Sequence, residues 1–581
     1  MLTRLRTRNF KRFREIDIEL GRAVVLIGPN NSGKTTALQA LALWEIGLRR
    51  WSEKRGDGPS PVKRPGVTVN RRDLISIPVP DANLLWRDLH VRDVDYHDDD
   101  GVRKPKTENV RIEIIVDGIS EGTAWSCGLE FDYANAESFY CRPLRLNENG
   151  AASRMPVPPE ASLARVAVLP PMSGLAAVEP KWELGRVNVL IGEGQTAQVL
   201  RNLCYQIYSQ DDQSDWNSLT EQLRQLFGVE LLAPQYITQR GEITMAYRDR
   251  ESRVTLDLSS AGRGLQQTLL LLGHLYANPR TVLLLDEPDA HLEVLRQRQM
   301  YKLLTDVALQ RGSQIIAASH SEVVLNEAVD RDTVIAFVGR PHRIDRTSAQ
   351  VRKALRDIGF DQYSQAELTG WVLYLEDATD FAILQAFAQV LNHPASACLE
   401  RPFVHYVATN LPQRAREHFH GLREAKPDLV GVAVFDRLDK VLQPTPALRE
   451  RAWRRREIEN YFCTERVLTA YAAATPTDDL FGRAMQERRL EAMNESIREV
   501  REALQTLGKP DAWSPDIKVT DDFLDPLFKK FFEKLGMPLA FRKSEYHQLA
   551  RFLSAADVAS EIGEVLDEIA AVASAALPTT G

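Results

Sequence analysis

Residues 28–36 read Gly-Pro-Asn-Asn-Ser-Gly-Lys-Thr-Thr and decide the fold of the first half of the chain. An apolar run, residues 23–27, precedes this segment and a helical stretch follows it. Strand, glycine-rich loop and helix in this order predict a phosphate-binding loop, because glycine lets backbone N–H groups approach phosphate oxygens and the helix N-terminus favours an anion. The lysine of such a loop contacts the β- and γ-phosphates, and the hydroxyl that follows ligates Mg²⁺. We therefore expect ATP to be bound by Gly28, Asn30, Asn31, Ser32, Gly33, Lys34, Thr35 and Thr36, with Thr35 also a metal ligand.

Two later strands are expected to complete this nucleotide site. The run VLLL at residues 282–285 leads into Asp286 and Glu287, which places Asp286 at a strand end beside the metal and Glu287 where it can polarise water. His320 follows the apolar run at 315–319, where a sensor of the γ-phosphate is expected. Taken alone, the two acids would be a solvated turn and the histidine an ordinary surface residue; the phosphate loop upstream favours the catalytic interpretation.

The segment 256–267, LDLSSAGRGLQQ, resembles the signature segment of the ABC ATPase superfamily. In that family the signature of one subunit completes the nucleotide site of another, and the matching positions are Ser259, Ser260 and Gly262. The alternative is an ordinary serine N-cap before a helix. Residues 289–292, DAHL, similarly resemble the D-loop of the family. The resemblance implies a homodimer or higher homo-oligomer formed through the ATPase domain.

A second α/β block begins near residue 367 and ends its buried strands in acids. Glu376 follows the strand WVLYL, and Asp380 lies one helical turn further on. Asp436 and Asp439 follow the strand VGVAVF. Parallel strands that end in carboxylates concentrate negative charge at one edge of a sheet, which favours a divalent cation there. Oxygen ligands indicate Mg²⁺ or Mn²⁺.

This block resembles the Toprim fold of topoisomerases, primases and the overcoming-lysogenization-defect (OLD) nucleases. Glu457 and Glu459 lie in a segment that resembles the one after the DxD strand of OLD nucleases, and in an extended segment they would face one side and bind a second metal. Lys543 matches the lysine that these nucleases place near the scissile phosphate, although a solvated surface lysine is an equal alternative. The block departs from the family at two positions: Asp377 replaces the usual glycine, and Leu438 replaces the second acid of the DxD motif.

The order of the motifs is that of OLD-family proteins, which include the nuclease subunit of the Gabija anti-phage system. The implied fold is α/β: an ABC-type P-loop ATPase domain at 1–345 with an insertion at about 150–250 for which dimerisation is the expected role, a Toprim-like parallel α/β domain at 366–470, and a mostly helical C-terminal extension at 471–581 that completes the Toprim region. The implied activity is ATP-controlled, metal-dependent endonuclease cleavage of DNA in anti-phage defence, with an accessory defence protein as a further partner. The alternatives are an ATPase sensor or scaffold with a degenerate Toprim domain, and a nuclease acting on RNA.

Composition excludes several other classes of protein. The chain has 581 residues, 44% hydrophobic and 26% charged, which is a globular balance rather than a disordered one. The net charge of −7 argues against a globally basic nucleic-acid binder, so any contact with nucleic acid is regional. Five scattered cysteines fit reduced thiols, and no apolar run approaches a membrane span. We expect a cytoplasmic protein that does not contact a membrane.

Overall fold

The computed structural model describes the chain except residues 56–65, 75, 100–101, 149–150, 171–174, 250–253, 345–357, 439–441, 475–479 and 580–581. Two compact units divide it, residues 1–352 and residues 353–580. The expected α/β class is confirmed: each unit contains a sheet with parallel strands and helices, and the C-terminal part is helical. No helix within the described ranges combines the length and the apolar character needed to cross a membrane.

The first unit is built around a six-stranded sheet that carries the phosphate loop. Its first five strands are parallel and the sixth pairs antiparallel with the fifth. Residues 150–250, expected to be an insertion, contribute the first strand of this sheet. The strand that precedes His320 lies between the strand that leads into the phosphate loop and the strand that ends in Asp286. These three motifs therefore meet at one edge of the sheet. In spatial order the strands are Arg165–Leu169, Thr281–Asp286, Gln314–Ser319, Ala23–Ile27, Thr333–Ala336 and His342–Arg343.

A second, antiparallel sheet covers the phosphate-loop helix Lys34–Arg55. This helix is apolar around most of its circumference, and twelve of its residues are buried, because it packs between two sheets. A single apolar core joins the helix to both sheets, and Trp44 stacks on Trp125 at its centre with ring centroids 5.8 Å apart. The antiparallel strands, in spatial order, are Phe13–Glu19, Leu2–Phe10, Ile112–Ser120, Thr123–Asn135, Ser138–Pro143 and Val67–Asn70.

Helices cover the opposite face of the parallel sheet and form a second apolar core with it. The remaining helices of the first unit are Pro159–Ser162, Leu184–Gly192, Leu200–Tyr208, Ser214–Phe227, Arg263–Ala277, Val294–Gln310 and Glu322–Ala328. Short 3₁₀ turns span Arg71–Asp73, Ala82–Leu85, Arg87–Leu89, Thr196–Gln198 and Leu258–Ser260. Smaller antiparallel pairings join Arg92–Asp99 to Val102–Asn109, Arg145–Glu148 to Ala151–Arg154, Gln235–Ile237 to Glu242–Thr244, and Ala246–Asp249 to both Val229–Leu231 and Thr255–Asp257.

The second unit contains a four-stranded sheet in which all strands are parallel. In spatial order they are Val404–Tyr406, Trp371–Leu375, Val430–Phe435 and Leu448–Ala452. The C-terminal helices share one apolar core with a face of this sheet, so both belong to the same unit. The helices are Phe360–Thr369, Ala378–Val390, Ala395–Cys398, Pro412–Ala425, Glu465–Ala473, Leu480–Thr506, Asp525–Leu535 and Ser560–Ala575, with 3₁₀ or π turns at Ile458–Tyr461, Thr520–Leu524, Lys543–Phe552 and Ala555–Asp557.

Candidate functional site

The phosphate loop folds back on the ammonium group of its own lysine. Lys34 Nζ donates to the carbonyl oxygens of Gly28 at 2.5 Å and Pro29 at 2.9 Å. Burial lowers the pKa of Lys34, and nearby acids, Glu287 first among them, oppose this shift. A phosphate is a stronger partner for a buried ammonium than a neutral carbonyl, since hydrogen bonds between ionised groups are about twice as strong. The lysine is therefore positioned to exchange these carbonyls for a nucleotide phosphate.

Gly33 is required by both its backbone and its neighbours. Its φ is +108°, a conformation that L side chains rarely adopt. A Cβ atom at this position would lie 2.8 Å from the ring of Phe13 and 3.0 Å from Cδ of Arg12. The structure places both against the phosphate loop.

The metal-binding half of the nucleotide site joins the loop to the neighbouring strand. The Thr35 hydroxyl lies 3.1 Å from both carboxylate oxygens of Asp286 and donates to them. Burial raises the pKa of Asp286, and the neighbouring Glu287 carboxylate adds to this rise, whereas the hydrogen bond from Thr35 opposes it. A hydroxyl and a carboxylate are the oxygen donors that Mg²⁺ takes in such sites, so these two residues fit the expected ion.

Glu287 and His320 face each other across the same sheet edge. His320 Nδ1 lies 3.3 Å from Glu287 Oε1, and both side chains are substantially exposed. The Glu287 backbone has φ +48°, and its N–H donates to the Ala318 carbonyl at 2.9 Å. Strand Gln314–Ser319 holds this strained backbone through Ala318, and the Glu287 carboxylate faces His320.

A cavity of about 460 Å³ lies above this edge. Its lining comes from the phosphate loop with the start of its helix, from the end of strand Thr281–Asp286 with the residue after it, and from the turn between strands Leu2–Phe10 and Phe13–Glu19. The lining residues are Arg12, Asn30, Asn31, Ser32, Gly33, Lys34, Thr35, Thr36, Asp286 and Glu287. Every residue that the sequence assigned to the phosphate loop except Gly28 therefore lines one cavity, with Arg12 as an addition.

The signature segment forms an exposed turn at the start of helix Arg263–Ala277. Neither serine caps the helix: its N-cap is Gly262, which has no side-chain cap. Asp257 holds the preceding turn, because its carboxylate accepts from the Ser259 N–H at 2.8 Å and its carbonyl accepts from the Ser260 hydroxyl at 2.6 Å. Gln266, which the sequence analysis did not single out, fixes the turn from below by donating to the Leu258 and Ala261 carbonyls. Ser259, Ser260 and Gly262 are all exposed.

In the second unit, an acidic turn connects the strand Trp371–Leu375 to the next helix. Asp377 caps that helix, accepting from the Thr379 N–H at 2.7 Å. Asp380 returns the contact, since its Oδ2 accepts from the N–H groups of Glu376 at 3.2 Å and Asp377 at 3.3 Å. The sequence analysis noted Asp377 only because it replaces the usual glycine of the family. The spacing of Asp377 and Asp380 is a capping signal, which predicts that Asp377 caps the helix.

Three further carboxylates, those of Asp436, Glu457 and Glu459, interact electrostatically with the acids of this turn. Burial raises the pKa of Asp436 to about 8, and Asp380, Glu457 and Glu376 add to the rise. Burial raises the pKa of Asp380 to about 7, with contributions from Asp377 and Glu376. Burial also raises the pKa of Glu459 well above its usual value, again with Glu457, Asp380 and Asp436 contributing. Acids from three separate segments therefore converge on one edge of the parallel sheet.

Glu457 and Glu459 would face one side and bind a second metal if their segment were extended. In the structure the segment is not extended. Glu457 caps a 3₁₀ turn, Ile458–Tyr461, and Glu459 lies within that turn. Glu457 accepts from the Thr520 N–H at 2.6 Å, a contact between distant segments that no local sequence pattern predicts. The turn forms because Asn460 completes a capping box with Glu457. Both acids still reach the carboxylate cluster.

Lys543 is the cation that faces these acids. Its Nζ lies 3.2 Å from Asp377 Oδ2. Burial opposes the charged form, yet the pKa of Lys543 is raised by Asp377, with Glu459 and Asp380 adding to the effect. The alternative of an isolated surface lysine is therefore not what the structure shows. Lys518 is a second ammonium group near the acids, since it interacts electrostatically with Glu457.

Carboxylate oxygens in this arrangement fit Mg²⁺ or Mn²⁺ in donor type and in charge. Within the described ranges, however, no three His, Cys, Asp or Glu side chains are grouped closely enough to hold a metal ion. Asp380 and Glu457 now accept backbone hydrogen bonds and would have to rotate to become ligands. Asp439, also expected to be a ligand, lies outside the described residues.

The basic run at 451–456 is largely neutralised. Arg451 pairs with Glu568, Arg454 with Glu564, and Arg455 donates to the Asn460 carbonyl. Trp453 is buried in the core. Acids pair with Arg451 and Arg454, but the side chains of both, like that of Arg456, remain exposed.

The carboxylate cluster predicts an unusual stability effect. Because the pKa of Asp436 is raised to about 8, the folded protein near neutral pH must keep this carboxyl protonated against its ordinary preference. Asparagine avoids that cost, so the free energy of unfolding at pH 7 should rise by about 1 kcal/mol without divalent ions. The same variant should lose part of the stabilisation that Mg²⁺ gives the wild type. Thermal denaturation with EDTA and with Mg²⁺ measures both effects. A lower melting temperature in EDTA would contradict the uncompensated charge.

Comparisons with known proteins concern the first unit. A family model described as "AAA domain, putative AbiEii toxin, Type IV TA system" matches residues 131–326, and one described as "AAA ATPase domain" matches residues 1–44. No curated protein matches.

Similar solved structures include the SMC head domain from Thermotoga maritima, with 16% identity, a TM-score of 0.31 and coverage of 59% of this chain and 98% of that one. An SMC head bound to the C-winged helix domain of ScpA has 14% identity, a TM-score of 0.32 and coverage of 59% and 97%. An SMC head with an extended coiled coil, bound to the C-terminal domain of ScpA derived from Pyrococcus furiosus, has 12% identity, a TM-score of 0.34 and coverage of 59% and 96%.

Two parts of the first unit, residues 1–44 and 131–326, are thus similar to AAA ATPase domains. The two matches include residues 28–36, 256–267 and 286–287, and the cavity lined by residues 30–36 is where ATP is expected to bind.

Glu287 is expected to act on the attacking water rather than to bind nucleotide. Glutamine at this position keeps the size of the side chain and removes the base, so hydrolysis should fall about a hundredfold or more while ATP binding persists. Phosphate release and fluorescent-nucleotide binding measure the two properties. His320→Ala should give a smaller loss in the same direction. Hydrolysis at the wild-type rate in Glu287→Gln would assign the water-polarising role to another residue.

Proposed function

We propose that this protein is an ATP-controlled, divalent-metal-dependent nuclease that cuts DNA. The observation that carries the proposal is the convergence of Glu376, Asp380, Asp436 and Glu459 on one sheet edge with Lys543 as the facing cation. Such a concentration of partly buried carboxylates costs folding free energy, and bound divalent cations would offset it. A site that carries this cost is a functional candidate.

The chain's own residues would divide the work between binding ions and substrate. Glu376, Asp436 and Glu459 would ligate Mg²⁺ or Mn²⁺, with Asp380, Glu457 and Asp439 as the remaining expected ligands. When bound, the ions supply an activated water and charge stabilisation for an in-line displacement at phosphorus. Lys543 would leave Asp377 and neutralise charge that develops on the phosphate.

ATP would act through a second copy of the chain. The signature residues Ser259, Ser260 and Gly262 are exposed and are not among the described residues that line the nucleotide cavity. Their backbone N–H groups and helix N-terminus suit a phosphate, so they would complete the nucleotide site of a partner subunit. This arrangement supports a homodimer or higher assembly through the ATPase domain, in which hydrolysis changes the spacing of the two copies.

A second function is favoured by a specific observation. Asp380 and Glu457 are committed to backbone hydrogen bonds, and the DxD position carries Leu438. These features support an ATPase sensor or scaffold whose second unit binds an effector without cutting. A role in anti-phage defence, with an accessory defence protein, fits either function and is in line with the family model whose description names a toxin.

One assay separates these functions. Supercoiled plasmid and tRNA are each incubated with the protein in Mg²⁺, in Mn²⁺ or in EDTA, with and without ATP. We expect nicked or linear plasmid only with a divalent ion and a dependence of its rate on ATP. Cutting of tRNA alone would assign RNA as the substrate. Intact plasmid and tRNA under every condition, with ATP hydrolysis retained, would overturn the nuclease and support the scaffold.

A further inference from the structure

Residues 406–414 run from the end of strand Val404–Tyr406 through a connection into the first turn of helix Pro412–Ala425, and we call them the 406–414 loop. This loop adjoins the carboxylate cluster and has no role in the functions above. It follows the edge strand of the parallel sheet, where Tyr406 pairs with Leu375, the residue before Glu376. The Ala408 N–H donates to the Glu376 carbonyl at 3.0 Å. The 406–414 loop is therefore fixed directly to the backbone of a proposed metal ligand.

The loop presents an aromatic ring beside the acids. Tyr406 is 42% exposed, although it lies at the end of a sheet strand. The strand pairing places Tyr406 beside Leu375, and the next residue, Val407, donates its N–H to the Leu375 carbonyl at 2.9 Å, so Tyr406 lies at the strand end that leads to Glu376. Leu411, at the other end of the bend, is 47% exposed. An exposed aromatic face next to a phosphodiester-cleaving site is the kind of surface on which a base stacks.

The loop also holds polar atoms with unused hydrogen-bonding capacity. In the part of the chain that the structure describes, Thr409 Oγ1 and Asn410 Oδ1 are buried and have no hydrogen-bond partner. Each such atom lowers the stability of the fold, so its presence indicates a hydrogen-bond partner that is not part of the folded chain. Ala408, between them and Tyr406, has φ +56°, a strained conformation for a residue with a side chain. The exposed Arg414 forms no ion pair within the described ranges.

We propose that the 406–414 loop binds an unpaired stretch of nucleic acid next to the scissile phosphate, with Tyr406 stacking on a base and Thr409 and Asn410 hydrogen-bonding to the strand. In duplex DNA the faces of the bases are covered by their neighbours, so a single aromatic ring can stack only on a base that is unpaired or at an end. Arg414 adds attraction for the backbone. The substrate class is then single-stranded or locally unpaired DNA. This inference rests on the proposed nuclease function.

Binding of a fluorescein-labelled single-stranded DNA of 16 nucleotides, followed by anisotropy in Ca²⁺, tests the stacking contact apart from cleavage. Tyr406→Ala should weaken binding about tenfold, and Tyr406→Phe, which retains the ring, should bind as the wild type does. Tyr140→Ala is the matched control, since Tyr140 is 44% exposed and lies in the first unit. A blunt duplex of the same sequence should bind more weakly and should respond little to Tyr406→Ala. Wild-type affinity in Tyr406→Ala, or an equal loss for duplex, would overturn the proposal.

Thr409→Val separates a binding role from a structural one. Because the Thr409 hydroxyl has no partner in the folded chain, its removal should leave the melting temperature unchanged or raised. Cleavage of the single strand should show a higher KM with little change in kcat, since the Thr409 hydroxyl would contact the strand at a point distant from the reacting atoms. A lower melting temperature with an unchanged KM would show that the hydroxyl serves the fold and would remove it from the proposal.

Failure of the inference and failure of the nuclease function give different results. If the wild type cuts DNA in Mg²⁺ but Tyr406→Ala cuts and binds single strands equally well, the loop assignment is wrong and the nuclease stands. If no substrate is cut while Tyr406-dependent binding of the oligonucleotide persists, the cleavage function is wrong and the loop is a nucleic-acid contact of a sensor. Absence of any binding by the wild type overturns the loop proposal outright.

Discussion

Lys34→Ala is expected to abolish ATP binding and, with it, ATP hydrolysis. In the structure the Lys34 ammonium is buried and donates to two carbonyls of the loop. It needs to move only a short distance to contact a phosphate instead, and the opposite charges make that contact stronger. Loss of a buried, charge-assisted contact costs about 3 kcal/mol of binding free energy, which corresponds to more than a hundredfold in Kd. Isothermal titration with a non-hydrolysable ATP analogue and a phosphate-release assay measure the two losses.

The matched control for this variant is Lys302→Ala, which removes an exposed lysine from a helix of the same unit. It should bind and hydrolyse ATP as the wild type does. The melting temperature of Lys34→Ala without nucleotide should change little, because the lysine is buried at a cost that its removal relieves. Tight ATP binding in Lys34→Ala would mean that the 460 Å³ cavity is not the nucleotide site.

Glu376→Ala is expected to abolish DNA cutting and to leave ATP hydrolysis intact. Glu376 lies at the end of a central strand of the parallel sheet, and its charge contributes to the repulsion on Asp436 and Asp380. Loss of a metal ligand removes several kcal/mol of transition-state stabilisation, on the order of a thousandfold or more in rate. Plasmid nicking in Mn²⁺ and phosphate release, measured on the same preparation, give the two activities.

Glu424→Ala is the control for the carboxylate, since Glu424 is an exposed acid on a helix of the same unit. It should nick plasmid at the wild-type rate. Nicking by Glu376→Ala at a rate close to that of the wild type would reject the metal site at this sheet edge. A parallel loss of ATP hydrolysis in Glu376→Ala would indicate instead that the variant is misfolded or that the two activities are inseparable.

The local character of the nucleotide site explains why so much of it was predictable. The phosphate loop is one continuous segment, and its glycine, lysine and hydroxyl positions follow from the contacts a phosphate requires. The strand-end acids and His320 could be placed as well, because runs of apolar residues mark buried parallel strands. What the sequence analysis left open was the position of Arg12 and Phe13, which depends on how the antiparallel sheet packs on the loop.

The carboxylate cluster was less predictable because it is assembled from distant segments. Alternation of strands and helices predicted that Glu376 and Asp436 share a sheet edge, and the pairing of their strands agrees with this. The expectation of an extended segment at Glu457 failed, since a capping box with Asn460 competes locally with strand pairing. The contact from Thr520 to Glu457 spans 63 residues, and no local pattern encodes it.

By itself, the sequence determined the α/β class, the phosphate loop and the acids that end the buried strands, because each depends on hydrophobic period and residue type within a short window. The tertiary structure alone decided which acids face one another, that Lys543 meets Asp377, and that Tyr406 lies beside the Glu376 backbone. These juxtapositions depend on sheet order and on the packing of the C-terminal helices, which are set by the burial of apolar surface from the whole unit rather than by any one segment.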